Sequence, residues 1–219
     1  MPRALFEKTG NAVYISHLDL MRLFQRAFKR ADLTLTHTQG YNPRPSVSIA
    51  LPMSVGVESV CELLDFDLTG DPVSCEEILA RLNKALVEGV RVLNVYPDCR
   101  KIRDIAYLDC AVTMEYDAGI PIDAVERITE LFSRESLTVE KRGKNGVVKQ
   151  DIIPLIRSFN LVCADNKSLI LNARICCQNP ALNPMQLVAA IEAYLPECAP
   201  DFTQCRRIEI YDAEESVFR

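Results

Sequence analysis

The sequence lacks most of the signatures by which enzymes are recognised. It contains no Walker A motif, no GxGxxG, no HExxH and no GxSxG. These absences remove the usual signs of nucleoside-triphosphate hydrolysis, dinucleotide binding, zinc-dependent proteolysis and serine hydrolysis. The aromatic ribonucleoprotein signature of an RRM is absent as well. No short motif in this chain therefore names a reaction by itself.

A secretory leader and a long apolar run are also missing. The start, "MPRALFEKTG", has no apolar segment after a basic leader. The run "VSIALPMSVGV" is interrupted by Ser48, Pro52 and Ser54, and no run approaches the ~18 residues needed to cross a bilayer. We therefore expect a cytoplasmic protein with no membrane segment.

Metal-ligand spacing is absent although cysteine is abundant. The chain has 9 cysteines but no CxxC pair, and none has a histidine nearby. We expect reduced thiols, several of them at apolar strand positions where a thiol behaves as a small hydrophobe. Those positions are Cys61, Cys110, Cys163 and Cys176. We expect no metal and no cofactor to be bound by this chain.

Charge is unevenly distributed along a chain whose net charge is −5. Residues 1–50 hold seven Lys/Arg against three Asp/Glu, a balance of +4, whereas residues 51–99 hold three against nine, a balance of −6. A basic N-terminal part permits an anionic partner but does not require one.

The pattern of the first half predicts the order βαββαβ, which is that of the ferredoxin-like fold. Strands are predicted at 3–8, 46–53, 60–69 and 90–97, with amphipathic helices at 16–31 and 75–86. We expect the acidic residues of the third strand to lie on a solvated face or edge. Those residues are Glu58, Glu62, Asp65 and Asp67.

The second half predicts another α+β unit after the polar stretch 98–104. Strands are predicted at 105–117 and 205–212, with a further strand pair between them, and helices at 122–134 and 183–195, the last with Asn183 as N-cap. A hairpin is predicted around the turn "GKNG", with its charges exposed. Those charges are Lys141, Arg142, Lys144 and Lys149. The fold class is thus α+β, as two tandem ferredoxin-like units at 1–99 and 104–219, the second with an inserted β-hairpin.

The stretch from Tyr14 to Pro45 holds the candidate binding residues. Spacings of three and four place the basic residues of helix 16–31 on one ridge. The following loop, "QGYNPRP", combines a permissive glycine, an aromatic and an arginine between two prolines, which suits an unstacked base or a phosphate. The predicted RNA-binding residues are His17, Arg22, Arg26, Lys29, Arg30, Gln39, Tyr41, Asn42 and Arg44.

Other functions remain open from these residues. His17 and His37 are the two histidines of the chain, and such a pair could act as acid and base on an RNA 2′-hydroxyl without metal. A protein-docking module with no nucleic-acid role would use the same motif. A solvated helix face followed by an ordinary turn would also explain it.

Three segments closely resemble the radical SAM-linked protein family, a domain of unknown function. They are "YISHLDLMRLFQRAFKRADL", "QGYNPRPSVSIALPMSVGVES" and "ELLDFDLT", and "VVKQDIIPLIRSFNL" extends the resemblance into the second half. Tyr41 and Arg44 stand where relatives often have Phe and His. This substitution pattern indicates that an aromatic residue matters at Tyr41 and argues against an essential role for the guanidinium of Arg44.

The resemblance implies a partner. Family members are fused to, or encoded beside, B12-binding radical SAM proteins, which use S-adenosylmethionine (SAM), an iron–sulfur cluster and B12. The chain lacks the CxxxCxxC that holds such a cluster. We therefore expect an accessory or substrate-binding subunit in tRNA or rRNA modification, non-catalytic by itself.

Overall fold

The computed structural model describes residues 1–143 and 146–219, and within them the chain is a mixed α+β protein with four α-helices and ten strands. These residues divide into two compact units. The first comprises Met1–Asp104 with Val217–Arg219, and the second comprises Ile105–Ser216. The α+β class and the antiparallel strand pairing agree with the pattern of the sequence. No helix in the described residues has the length and apolar character needed to cross a membrane.

The first unit has the predicted order of elements. They are β1 (Arg3–Lys8), α1 (His17–Arg30), β2 (Val47–Ile49), β3 (Val57–Phe66), α2 (Cys75–Ala85) and β4 (Val90–Tyr96). The strands pair antiparallel in the order β4-β1-β3-β2. Strand β2 is shorter than predicted because Pro52 has no N–H to donate to a ladder.

Helix α1 begins where the sequence places it. The hydroxyl of Ser16 accepts a hydrogen bond from the backbone N–H of Asp19 at 3.2 Å, which satisfies one free donor of the first turn. Its apolar stripe is buried against the sheet: Phe24 lies 4.7 Å from Phe6 and Phe28 lies 5.0 Å from Phe66, between ring centroids. The opposite face is left to solvent, and it carries the basic residues.

The expectation of a solvated acidic strand is wrong for two residues of β3. Glu62 is fully buried, and Asp65 accepts two hydrogen bonds from Arg3, at 2.5 and 3.0 Å. Strand β3 is paired on both sides within the first unit, with β1 and β2, so it is not an edge. Arg3 also lies 5.1 Å from the ring centroid of Phe218, which attaches the last residues of the chain to this unit.

The second unit repeats the pattern with an insertion. Its elements are β5 (Ile105–Glu115), α3 (Ala124–Phe132), β6 (Thr138–Gly143), β7 (Gly146–Asp151), β8 (Ile156–Cys163), β9 (Ser168–Cys176), α4 (Met185–Tyr194) and β10 (Phe202–Asp212). Four strands pair antiparallel in the order β10-β5-β9-β8, while β6 and β7 form a separate hairpin. The centre of the predicted turn "GKNG", with Lys144, lies outside the described residues, as does the side chain of Arg142.

Two details of this unit differ from the prediction. Helix α4 begins at Met185, two residues later than expected, with Pro184 and not Asn183 at the N-cap position. The side-chain oxygen of Asn183 accepts a hydrogen bond from the N–H of Met185 at 3.0 Å. Cys163 is exposed, whereas Cys110 is buried as predicted. Strand β8 is the edge strand of its sheet, and its last two residues, Val162 and Cys163, are exposed.

Candidate nucleic-acid interface

Three of the predicted arginines line one groove on the exposed side of α1. We call it the arginine groove; its volume is about 370 Å³, and its lining residues are Ile15, Asp19, Arg22, Leu23, Arg26, Arg30 and Val87. The floor is apolar, and the charged groups are three guanidinium groups and one carboxylate. The spacing of four residues between successive arginines places them on one side of the helix.

The charged side chains of the arginine groove differ in the ion pairs and hydrogen bonds that they form. Arg22 forms an ion pair with Asp19 at 3.0 Å, both side chains being well exposed. Hydrogen bonds from Ser16 and then from Arg22 lower the pKa of Asp19, so this carboxylate is ionised at neutral pH. Arg30 donates to the carbonyl oxygen of Ala85 at 2.6 Å. The side chain of Arg26 makes no hydrogen bond or ion pair in the described part of the chain.

A second concavity lies where α1 meets the base of the loop. We call it the loop-base pocket; its volume is about 540 Å³. Leu33, Leu35 and Pro45 supply its apolar surface, and the fully buried Phe28 lies beneath them. Its polar rim and remaining wall consist of Gln25, Lys29, Asp32, Thr34 and His37. Lys29 and His37, separate in the predicted site, therefore line the same pocket.

The loop itself is held as a short antiparallel extension. His37 pairs with Pro45, and the backbone N–H of Thr38 donates to the carbonyl oxygen of Arg44 at 2.8 Å. The N–H of Arg44 donates back to the hydroxyl of Thr38 at 3.1 Å. These bonds fix the stem and leave the tip in solvent, where Tyr41 is fully exposed. Gln39, Asn42 and Arg44 are exposed there as well.

The two histidines are not brought together. His17 is the first residue of α1, and His37 lines the same pocket as Lys29, twelve positions further along that helix. At about 1.5 Å per residue, twelve positions span about 18 Å along the axis. Two side chains so far apart do not meet at one phosphodiester. The Nδ1 atom of His17 is buried, with no hydrogen-bond partner among the described residues.

The second unit has a charged cluster whose partners are internal. Arg174 donates to both carboxylate oxygens of Asp109, at 2.7 and 2.9 Å, and to Glu215 at 2.6 Å. Its guanidinium carbon lies 4.0 Å from the ring centroid of Tyr211. The hydrogen bond to Asp109 is the main cause of a raised pKa at Arg174. Because its charge is compensated on two sides, we interpret this cluster as a clamp on the turn after β10.

Several residues of the candidate site carry no signal in the sequence. Gln25 lines the loop-base pocket from α1, Asp32 and Thr34 line it from the chain reversal after α1, and Val87 lines the arginine groove from the turn after α2. These residues line the two concavities because of their position in the fold, which their residue types do not reveal. Within residues 1–143 and 146–219, no group of three or more His, Cys, Asp or Glu is arranged to hold a metal ion.

The family is shown by a match over most of the chain. A model of a bacterial family, described as "Uncharacterized protein conserved in bacteria" (DUF2344), matches residues 2–184. The chain belongs to this family. No curated protein matches the sequence.

Solved structures share the fold at low identity. The chain is similar to one in the "Crystal Structure of a Cbf5-Nop10-Gar1 Complex", with a TM-score of 0.51 and 8% identity over 95% of this chain and 48% of that chain. A second, in the "Structure of H/ACA RNP bound to a substrate RNA containing 2'-deoxyuridine", has a TM-score of 0.49 and 8% identity, over 94% of this chain and 46% of that one. The present chain thus spans about half the length of the chains it matches, and the likeness is one of fold alone.

Proposed function

We propose that this DUF2344 chain is an RNA-binding partner of a B12-binding radical SAM enzyme and that it holds a tRNA or rRNA substrate without performing the reaction itself. The observation that carries the proposal is the shared helix. Helix α1 lines the arginine groove with Arg22, Arg26 and Arg30, and it lines the loop-base pocket with Lys29.

The charge of this surface suits a polyanion. Four cationic side chains lie within three turns of α1, whereas the surface carries two carboxylates, Asp19 in the groove and Asp32 on the pocket rim. The ion pair between Asp19 and Arg22 is well exposed, so it contributes little, and a phosphate can replace the carboxylate at small cost. Arginine in particular binds phosphate through paired donors.

The loop adds an aromatic side chain, which suits a base and not a phosphate. Tyr41 presents its ring fully to solvent at the tip of a stem fixed by backbone hydrogen bonds. An exposed aromatic side chain can stack on an unpaired base, and the hydrogen bonds between Thr38 and Arg44 hold the two ends of the loop that carries it. Gln39, Asn42 and Arg44 are the polar groups beside it.

The two halves of the chain share one strand order. We interpret each unit as ferredoxin-like, since each follows the order βαββαβ once the β6–β7 hairpin is set aside. In each, the fourth strand lies beside the first, then the third and the second. The fold by itself implies no function.

The radical SAM partner follows from the resemblance of the motif. This chain offers no CxxxCxxC, so SAM, the iron–sulfur cluster and B12 are assigned to the partner. The test is co-purification of the two proteins before and after nuclease treatment. Recovery that survives nuclease supports direct contact, and failure to co-purify under both conditions removes the partner from the proposal.

The RNA part is tested by binding tRNA and total RNA across a salt series. Phosphate contacts make the logarithm of the association constant fall linearly with the logarithm of salt concentration. We expect that behaviour here. Weak binding that does not depend on salt concentration, together with co-purification that survives nuclease, would favour the protein-docking function.

The geometry does not support a ribonuclease that uses His17 and His37. Intact RNA after incubation with EDTA would exclude this activity.

A further inference from the structure

We propose that the loop-base pocket receives one unstacked nucleobase of the bound RNA, with the adjoining phosphate on Lys29. This inference rests on the proposed function and adds to it the chemical group that this pocket takes. It differs from stacking on Tyr41, because Tyr41 lies at the tip of the loop and the pocket lies at its base.

The volume and the apolar lining of the loop-base pocket suit a flat heteroaromatic group. The pocket has a volume of about 540 Å³, within the range of small-molecule sites. Leu33 and Leu35, which are 3% and 7% exposed, and the half-buried Pro45 supply the apolar surface that a base would contact, while Phe28 lies beneath them with no exposed surface. Proteins that read an extruded base hold it against apolar and aromatic side chains.

The rim supplies both kinds of hydrogen-bonding group. Asp32 accepts, Lys29 donates, and Gln25, Thr34 and His37 can do either. One cation and one carboxylate leave the rim close to neutral. A free phosphate would call for more cations, and an aliphatic chain would leave the polar groups without partners. The edge of a base carries donors and acceptors side by side.

The position of Lys29 on α1 indicates where the phosphate next to the bound base would lie. Lys29 lies on the pocket rim and three residues after Arg26, so it is a neighbour of the arginine groove on the same helix. A strand whose backbone follows the groove therefore reaches the pocket at Lys29. The backbone turn that forms the rim is set by Asp32, which has a positive φ of 54° just after the helix.

The experiment combines a blocked pocket with a base-free ligand. Thr34→Trp fills the pocket mouth from an exposed position. Thr69→Trp is the matched control: Thr69 is also exposed, its N–H donates to the carbonyl oxygen of Thr34 at 2.9 Å, and it does not line the pocket. The probes are a short single-stranded RNA and the same sugar–phosphate chain without bases, measured by fluorescence anisotropy on the 219-residue chain.

We expect Thr34→Trp to weaken binding of the RNA about tenfold, the usual scale for one base, and to leave the salt dependence unchanged. Binding of the base-free chain should be equal for wild type, Thr34→Trp and Thr69→Trp. Equal RNA affinity in wild type and Thr34→Trp, with salt dependence intact, would overturn the pocket assignment and leave the proposed function standing. Absence of salt-dependent binding in wild type would overturn both.

A second variant guards against misfolding. If Thr34→Trp fails to give the circular dichroism of wild type, Gln25→Ala takes its place, since it removes one rim amide without adding volume. The expected result is a loss of RNA affinity that is absent with the base-free chain. An equal loss on both probes would contradict base recognition in this pocket.

Discussion

Replacing Arg26 with glutamine should remove one phosphate contact from the arginine groove while leaving the fold unchanged. Arg26 is exposed, lines the groove, and makes no hydrogen bond or ion pair within the described residues. Its loss therefore removes no contact that holds α1 in place. Glutamine keeps a similar length and a good helix propensity, so the change is mainly one of charge.

The magnitude is obtained by counting cations. With Arg22, Arg26, Lys29 and Arg30 each on a phosphate, the salt slope for single-stranded RNA is about −2.8, and with three contacts it is about −2.1. Between about 50 mM and about 200 mM salt, wild type should lose about 50-fold in affinity and Arg26→Gln about 20-fold. Anisotropy titrations at several salt concentrations measure both slopes.

Two further variants make the comparison specific. Arg91→Gln changes the net charge equally at an exposed residue of β4 that does not line the groove, so its slope should equal that of wild type. Asp19→Asn removes the carboxylate from the groove and should tighten binding at every salt concentration. Identical slopes for Arg26→Gln and Arg91→Gln would refute the reasoning, because charge would then act without regard to position.

Other consequences concern the stability and reactivity of single side chains. Tyr116→Phe should lower the free energy of unfolding by about 1 kcal/mol in urea denaturation, because the buried hydroxyl donates to the carbonyl oxygen of Cys198 at 3.1 Å. Burial raises the pKa of Tyr116 to about 12. An ultraviolet titration that detects phenolate near pH 10 at this residue would contradict the burial of its hydroxyl. Exposed Cys163 should react with a thiol reagent well before buried Cys110, whose pKa burial raises; mass spectrometry of partly labelled protein gives the order. Backbone N–H groups lower the pKa of Asp151, so its contribution to stability is complete above the usual carboxyl range and is lost as the pH falls through the lowered pKa. Asp151→Asn should therefore show a smaller acid-induced loss of stability than wild type, and an equal loss would exclude this origin.

Local patterns in the sequence were sufficient to predict the order of the helices and strands. The stripe of Leu20, Phe24 and Phe28 required a helix with one buried face, and Ser16 marked its start, because both signals act within a few residues. The βαββαβ order could be read in the same way. Ends of strands were less predictable: β2 ends at Ile49, before Pro52, and β3 already begins at Val57.

Burial of the acidic strand residues required the tertiary structure. Alternation along β3 indicates two faces, but it cannot say whether a second strand lies on each side. Pairing with β1 brings Arg3 onto Asp65 across 62 positions of sequence. Glu62, three residues earlier and therefore on the other face of the strand, is fully buried. Long-range pairing leaves no trace in the local pattern of either strand.

By itself the sequence determined that α1 has a basic face opposite its apolar stripe and that a proline-rich loop with an aromatic residue comes after it. Periodicity and the chemistry of proline are properties of neighbouring residues, so they can be read locally. Only the tertiary structure decided that Lys29 and His37 share a pocket, that His17 lies at the other end of α1 from this pocket, and that Asp32 and Thr34 line it. Those relations depend on where the chain reverses after α1, and no periodicity encodes the direction of that reversal.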